Sequence, residues 1–175
     1  MTLAYCLVSM RLVILGTVFA LVGLAGASCS QMQSPTGATP AATGTANYAS
    51  ELAFCADQTN RYRASVGRPS LARSEALEDF AAQAAEHDAL ARVAHQHFVQ
   101  TNGAGVALAE TEILWWRSNA VNPVVEGGLA QMWRVGPGGE HYDIMSGNYT
   151  QIGCGVFVSN GEVTVAQDFR SGSRK

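Results

Sequence analysis

Histidine and carboxylate side chains occur close together in three short stretches of the sequence. They are His95 and His97, Glu110 and Glu112, and Glu140 and His141. In an extended segment, residues two apart point to the same side, so we expect each of the first two pairs to share a face. The third pair directly follows the run Gly136-Pro-Gly-Gly139, which no continuous helix can cross, and we expect it in a loop.

A set of imidazoles and carboxylates from distant segments has three plausible uses. Neutral imidazole nitrogen and carboxylate oxygen suit Zn²⁺, and few protein ligands would make a weak, exchangeable site. The same groups can transfer protons, because His titrates near neutral pH and a carboxylate raises its pKa. They can also form a polar network that only stabilises the fold. The sequence shows no evident nucleophile, so catalysis is the least favoured of the three.

Four segments of the chain resemble, in order, the motifs of one family. They are Asn60-Arg-Tyr-Arg63, Ala109-Glu-Thr111, Gly139-Glu-His-Tyr142 and Asn148-Tyr-Thr-Gln-Ile-Gly-Cys-Gly155. They are similar to the "N-x-x-R", "G-E-N", "G-H-Y" and "T-Q-(V/I)-G-C-G" motifs of the CAP superfamily (cysteine-rich secretory, antigen and pathogenesis-related proteins). The resemblance extends from about residue 48 to residue 170.

The resemblance implies an α/β fold, a three-layer α-β-α sandwich with a small antiparallel sheet. It also implies export and a cleft with a His/Glu tetrad that can take a divalent cation. Glu110 and His141 match two of the four positions. The family has its other histidine just after the second helix, where both His95 and His97 stand, and we prefer His97. The expected metal ligands are therefore His97 and His141.

One position departs from the family pattern. Where the family has its second site glutamate, two residues after the Trp of a helix, this chain has Val135. The nearest acid is Glu140, beside His141. Either Glu140 replaces the missing carboxylate or the site has lost one, and both interpretations stay open.

Patterns of apolar residues predict the elements that position these groups. Spacings of three and four predict a first helix from Tyr48 to Val66 and a second that begins after Ser74. A shorter helix should follow Asn122-Pro123. Alternation and the Asn160-Gly161 pair predict a hairpin of strands 152–158 and 163–169. The many alanines of the second helix indicate close approach to another layer.

The first 47 residues are expected to lie outside the folded domain. Residues 1–28 read as a signal peptide, with Arg11 before an apolar run and small residues before Cys29. A membrane anchor is the rival, but the apolar run is short for a spanning helix. Residues 29–47 read as a flexible linker, and residues 48–175 as the domain. Cys29 is the candidate lipidation site of a bacterial cell-envelope lipoprotein, and cleavage before it would give a secreted or periplasmic protein instead.

The two remaining cysteines, Cys55 and Cys154, are expected to form a disulfide. Cys6 would leave with the signal peptide, and Cys29 would be terminal or lipidated. Cys55 lies on the apolar stripe of the first helix, and Cys154 lies in a strand that must pack on helices. Free buried cysteines are the alternative.

The overall composition limits the partners. The chain has 175 residues with a formal net charge of −3, and its single Lys is the last residue. Nucleic acid needs a concentrated basic face, which this sequence lacks. We therefore expect an exported binding module for an unidentified small molecule, with lipid or sterol as candidates, that meets a membrane only through its N-terminal lipid. The alternative is a metal-dependent hydrolase that uses His141 and Glu110.

Overall fold

The computed structural model describes residues 46–172, which contain five α-helices and four strands. The helices are α1 (Ala49–Ser65), α2 (Glu75–Ala91), α3 (Gln96–Thr101), α4 (Val121–Arg134) and α5 (Glu140–Met145). The strands are β1 (Ala72–Arg73), β2 (Ala109–Arg117), β3 (Gln151–Ser159) and β4 (Glu162–Arg170). The predicted signal peptide, Cys29 and nearly all of the predicted linker lie outside the described residues. None of the helices in the described range is long and apolar enough to cross a membrane.

The four strands form one sheet in the order β1-β3-β4-β2. The β3–β4 and β4–β2 pairs are antiparallel, as predicted, whereas the short strand β1 adds a parallel pair with β3 that the sequence patterns did not predict. Asn160 and Gly161 join β3 to β4 with φ of 54° and 73°. Positive φ at both positions is what a two-residue hairpin turn requires, and it confirms the Asn-Gly prediction.

Helix α2 covers one face of the sheet at very short range. Gly155 of β3 lies so close to α2 that a Cβ there would overlap the backbone of Ala81. Ala81, Ala84 and Ala85 of α2 are fully buried, together with Ala166 of β4. Small side chains on both elements therefore permit the close approach that the alanine-rich pattern indicated.

Helices α1 and α4 cover the other face, which completes the predicted three-layer arrangement. The larger hydrophobic core lies there and includes Leu52 of α1, Leu129 of α4 and Phe169 of β4. The Cys55–Cys154 disulfide joins α1 to β3 inside this core, which confirms the predicted pairing.

Arg63 of α1 connects this core to the segment that carries His141. Its side chain is 1% exposed. The guanidinium donates to the carbonyl oxygens of Pro69, Met145 and Gly147, at 3.0, 2.8 and 2.9 Å. The last two carbonyls lie at the end of α5 and just beyond it, so Arg63 fixes the helix on which His141 lies.

Candidate functional site

His95, Glu110 and Glu112 converge at the edge of the sheet. His95 lies between α2 and α3, and the two glutamates lie two residues apart on β2. Nδ1 of His95 is 2.9 Å from Oε1 of Glu110 and 3.5 Å from Oε2 of Glu112. One candidate ligand atom from each residue lies within 4.8 Å of the other two. The alternation of β2 thus brings both glutamates to one side, as their spacing predicted.

The backbone of His95 is held in an uncommon conformation. Its φ is 57° and its ψ is 15°, in the left-handed region that non-glycine residues rarely adopt. The His95 N–H donates to Oε2 of Glu112 at 2.7 Å, so Glu112 fixes the backbone while Glu110 holds the ring. Such strain of about 1 to 3 kcal/mol persists where surrounding contacts impose it, often at functional sites.

The same backbone turn separates His95 from His97, so the expectation of an extended segment was wrong here. Residues 96–101 form helix α3, and the two imidazoles do not share a face. The His97 ring instead lies 5.0 Å from the Phe80 ring and 5.5 Å from the His87 ring, measured between centroids. The histidine beside Glu110 is His95, and this geometry favours His95 over the preferred His97 for the family position.

The two glutamates are buried although each keeps one oxygen without a partner. Glu110 is 5% exposed and Glu112 is 7% exposed. Among residues 46–172, neither Oε2 of Glu110 nor Oε1 of Glu112 has a hydrogen-bond partner. Buried carboxylate oxygens are costly to leave unpaired, so these atoms are chemically unsatisfied by the protein itself.

Burial and mutual repulsion shift the protonation of this group. The hydrogen bond with Glu110 raises the pKa of His95, against a smaller opposing effect of burial. Burial raises the pKa of Glu110, and raises that of Glu112 to about 8. The imidazole is therefore biased toward its charged form and the carboxyls toward their neutral forms.

Two further acids, Asp88 and Asp168, belong to the same environment and were missed by the sequence interpretation. Both are 0% exposed, and Asp168 has no partner for either carboxylate oxygen within the described range. Burial raises the pKa of Asp168 to about 9, and the charges of Glu110, Glu112 and Asp88 add to that effect. The sequence could have revealed them, because each acid lies where the pattern predicts a buried residue, on the apolar face of a helix or within a buried strand. Asp88 continues the stripe of Ala81 and Ala84, and Asp168 lies in the β-branched strand Val163-Thr-Val-Ala-Gln-Asp-Phe169.

An open cleft of about 410 Å³ lies beside this group. Its lining includes His95, Glu110, Glu140 and His141, together with the apolar side chains Phe98, Val99, Leu108, Ala109 and Ile144. Glu140 and His141 were expected in a loop, but they begin helix α5, because the helix-breaking run ends at Gly139. His141 thus shares a cleft with His95 and Glu110, while Glu140 is exposed at its margin.

A second cleft of about 360 Å³ lies on the other side of His141. Val135 lines it together with Glu112 and His141, and the Val135 residue is 56% exposed. The position where the family carries its second glutamate therefore lies near the same groups. In this chain the second buried carboxylate beside His95 comes from Glu112 on β2.

Comparisons with known proteins identify the family of the chain. The family model of the cysteine-rich secretory protein (CAP) family matches residues 56–169, more than half of the chain. No curated protein matches the sequence. Among solved structures, a cysteine-rich secretory protein from Staphylococcus aureus is similar, with a TM-score of 0.46 and 13% identity. That match covers 69% of this chain and 38% of the neighbour's chain. From the family match, the chain belongs to the cysteine-rich secretory protein (CAP) family.

Proposed function

We propose that the protein is an exported CAP-domain binding module whose cleft holds a divalent metal beside an apolar ligand. The observation that carries this proposal is the convergence of one His95 nitrogen with one oxygen from each of Glu110 and Glu112, all within 4.8 Å. His95 and Glu110 line the same cleft as His141 and a set of apolar side chains, and Glu112 lines the second cleft, which His141 also lines. The protein thus offers metal ligands and apolar surface in one place.

The donor set fits a divalent cation. One imidazole nitrogen and two carboxylate oxygens suit Zn²⁺, and the carboxylates also suit Mn²⁺. A metal would satisfy Oε2 of Glu110 and Oε1 of Glu112, the two buried oxygens that have no partner within residues 46–172. Its positive charge would also favour the ionised forms of the two buried carboxyls. His141 lines the cleft next to this group and is a candidate for a further nitrogen ligand.

The apolar wall of the cleft supports a ligand with a hydrocarbon part. Val99 is 72% exposed and Leu108 is 63% exposed, which are high values for large apolar residues. Both line the cleft with Phe98 and Ile144. A pocket of mainly apolar walls with a few converging polar groups is typical of small-molecule sites, so a lipid or sterol remains the preferred ligand class.

The Cys55–Cys154 disulfide fits an exported protein, because disulfides persist in oxidising compartments. From the predicted signal peptide and Cys29, we propose that the exported protein is either a cell-envelope lipoprotein or freely secreted. Mass spectrometry of the mature N-terminus distinguishes the two, since a lipid on Cys29 adds the mass of its acyl chains.

The binding function is tested on the full chain after gentle purification. Elemental analysis should find a divalent metal in the wild type, and solvent extraction should release an apolar molecule detectable by mass spectrometry. His95→Gln should lower the metal content and spare the extracted molecule if the metal and the apolar wall bind independently. The proposal is contradicted if the purified protein contains neither a metal nor an apolar molecule and also fails to bind added Zn²⁺ and added fatty acid.

A metal-dependent hydrolase is the second candidate, because Glu110 and His141 line one cleft as general acid–base chemistry requires. Glu110→Gln separates the two functions. A hydrolase loses turnover of a chromogenic ester while the fold survives. A binding module shows no metal-dependent turnover in the wild type either.

A further inference from the structure

A second pair of histidines lies outside the proposed cleft site. His87 is near the end of α2 and His97 is in the first turn of α3, and their ring centroids are 5.5 Å apart. The planes of the two rings differ by 53°. His97 is one of the two residues of the His-x-His motif, and neither ring belongs to the group around Glu110.

Asp88 forms hydrogen bonds with both histidines of this pair. It is 0% exposed, and its Oδ1 lies 2.8 Å from Nδ1 of His87 and accepts the His97 N–H, also at 2.8 Å. One buried oxygen therefore fixes the ring of His87 and the backbone of His97. Fixing both residues from one atom lowers the entropy lost when a ligand brings the two rings together.

The hydrogen bond to Asp88 leaves one nitrogen of His87 available. A carboxylate only accepts hydrogen bonds, so the proton of the neutral imidazole lies on Nδ1, and Nε2 keeps its lone pair. A histidine whose second nitrogen is paired with a carboxylate is the usual arrangement of a metal-binding histidine. Among residues 46–172, neither ring nitrogen of His97 has a hydrogen-bond partner. The His87 side chain is 37% exposed, so solvent and ions reach it.

The spacing of the rings is close to that of two imidazoles on one metal. With metal–nitrogen distances of about 2.0 to 2.1 Å and a tetrahedral angle, two ring centroids lie roughly 5 Å apart. The observed centroid distance of 5.5 Å is close to this value. The Phe80 ring, 5.0 Å from that of His97, limits the motion of His97 on its other side.

We propose that His87 and His97 form a second, solvent-accessible site for a transition-metal ion such as Zn²⁺, Ni²⁺ or Cu²⁺, with Asp88 as its positioning residue. Imidazole nitrogens favour these ions, whereas Ca²⁺ and Mg²⁺ require oxygen ligands. With two protein ligands and water in the other positions, the ion exchanges readily. Its two histidines are not part of the group at His95, Glu110 and Glu112, although the charge of Asp88 acts on that group too.

The chain has four histidines, all of them in the described range, so imidazole signals can be assigned by single substitutions. The test uses the full chain labelled with ¹⁵N-histidine in the His95→Gln background, which removes the nitrogen that lies beside Glu110 and Glu112. Zn²⁺ alone is added, and the imidazole ¹H–¹⁵N spectrum is followed. The ring signals of His87 and His97 should shift together with one midpoint, and Ca²⁺ should leave both unchanged.

Adding His87→Gln should raise the Zn²⁺ midpoint of the remaining His97 signal by about tenfold or more, and His97→Gln should do the same for His87. Amide spectra establish that each variant is folded, and a variant that fails this control leaves the other substitution to decide. The proposal is overturned if the two rings titrate with different midpoints in the His95→Gln background. It is equally overturned if loss of one ring leaves the midpoint of the other unchanged.

Discussion

Glu110 and Asp168 are direct cross-strand partners on β2 and β4, and both carboxyl groups are buried on the same side of the sheet. Like groups at directly opposed positions repel when both are charged. Asp168 has no hydrogen-bond partner within residues 46–172, and burial raises its pKa to about 9. The protein therefore places an acid in the sheet that favours its neutral form.

This arrangement predicts a specific pH dependence of stability. An Asp with a folded-state pKa of about 9 and an unfolded-state pKa near 3.9 is more protonated in the folded state, so its contribution is full below about pH 4 and is lost as pH rises toward 9. Asp168→Asn should remove this slope. In EDTA, raising the pH from 5 to 8 should therefore destabilise the wild type more than the variant, by up to about 4 kcal/mol, because each pH unit between the two pKa values contributes about 1.4 kcal/mol.

Urea unfolding at the two pH values measures this gain, with the exposed Asp57→Asn as the matched control. The control should show the same pH slope as the wild type. Parallel slopes for wild type and Asp168→Asn would mean that Asp168 is ionised in the folded protein.

Metal binding at the cleft should become tighter as pH rises, and should continue to do so above neutrality. The ligands must lose their protons before they bind a cation, and burial raises the pKa of Glu112 to about 8, while the pKa of His95 is raised by its hydrogen bond with Glu110. We expect Zn²⁺ affinity to increase from pH 6 to pH 8, by up to about tenfold per pH unit for each proton released.

Titration calorimetry in two buffers of different ionisation enthalpy counts the released protons directly. At pH 7 the expected count is greater than zero. An affinity that is flat between pH 7 and pH 8, with no proton release, contradicts the protonation state that burial imposes on Glu112.

Removing the Cys55–Cys154 disulfide should destabilise the domain without removing the site. The bond closes a loop across a sequence separation of 99, and loss of such a bond costs about 2 to 5 kcal/mol. Urea unfolding of Cys55→Ala/Cys154→Ala and of the oxidised wild type measures the cost. Equal stability of the variant and the wild type would show that the disulfide contributes nothing.

Arg63 should be far more sensitive to substitution than its neighbour Arg61. Arg63→Lys cannot reproduce three hydrogen bonds from one planar group, and charged hydrogen bonds contribute about 1.5 to 3 kcal/mol each. We expect a loss of at least that size for Arg63→Lys, and less than about 0.5 kcal/mol for the exposed Arg61→Lys. Similar losses for both would contradict the role of Arg63 in fixing the end of α5.

The sequence predicted those features that depend on local pattern. The spacing of apolar residues predicted the buried stripe of α1 and the alanine-rich face of α2, and the alternation of residues predicted the two faces of β2. The residue types of Asn160-Gly161 predicted the hairpin turn. The Cys55–Cys154 pair followed from counting cysteines and from the burial of both segments. These predictions hold because the apolar residues that produce the patterns also form the hydrophobic core, which is the main source of stability.

The features that the sequence did not predict depend on tertiary contacts. His95 adopts positive φ because Glu112 accepts its N–H across 17 positions, and nothing local indicates this turn. The turn gives His95 and His97 different surroundings, so spacing alone favoured the wrong geometry. Asp168 could be recognised as buried, but its closeness to Glu110 required the register of β2 on β4.

The central claim is that His95, Glu110 and Glu112 form a metal site in which Glu112 supplies the second carboxylate. Calorimetric titration of Zn²⁺ into Glu112→Gln and Glu140→Gln tests it most directly, because both changes replace a carboxyl group by an amide, but only Glu112 is buried beside His95. The account predicts that Glu112→Gln weakens Zn²⁺ binding by at least about tenfold, whereas Glu140→Gln stays within about twofold of wild type. Equal affinities for Glu112→Gln and wild type, or a large loss with Glu140→Gln alone, would contradict it.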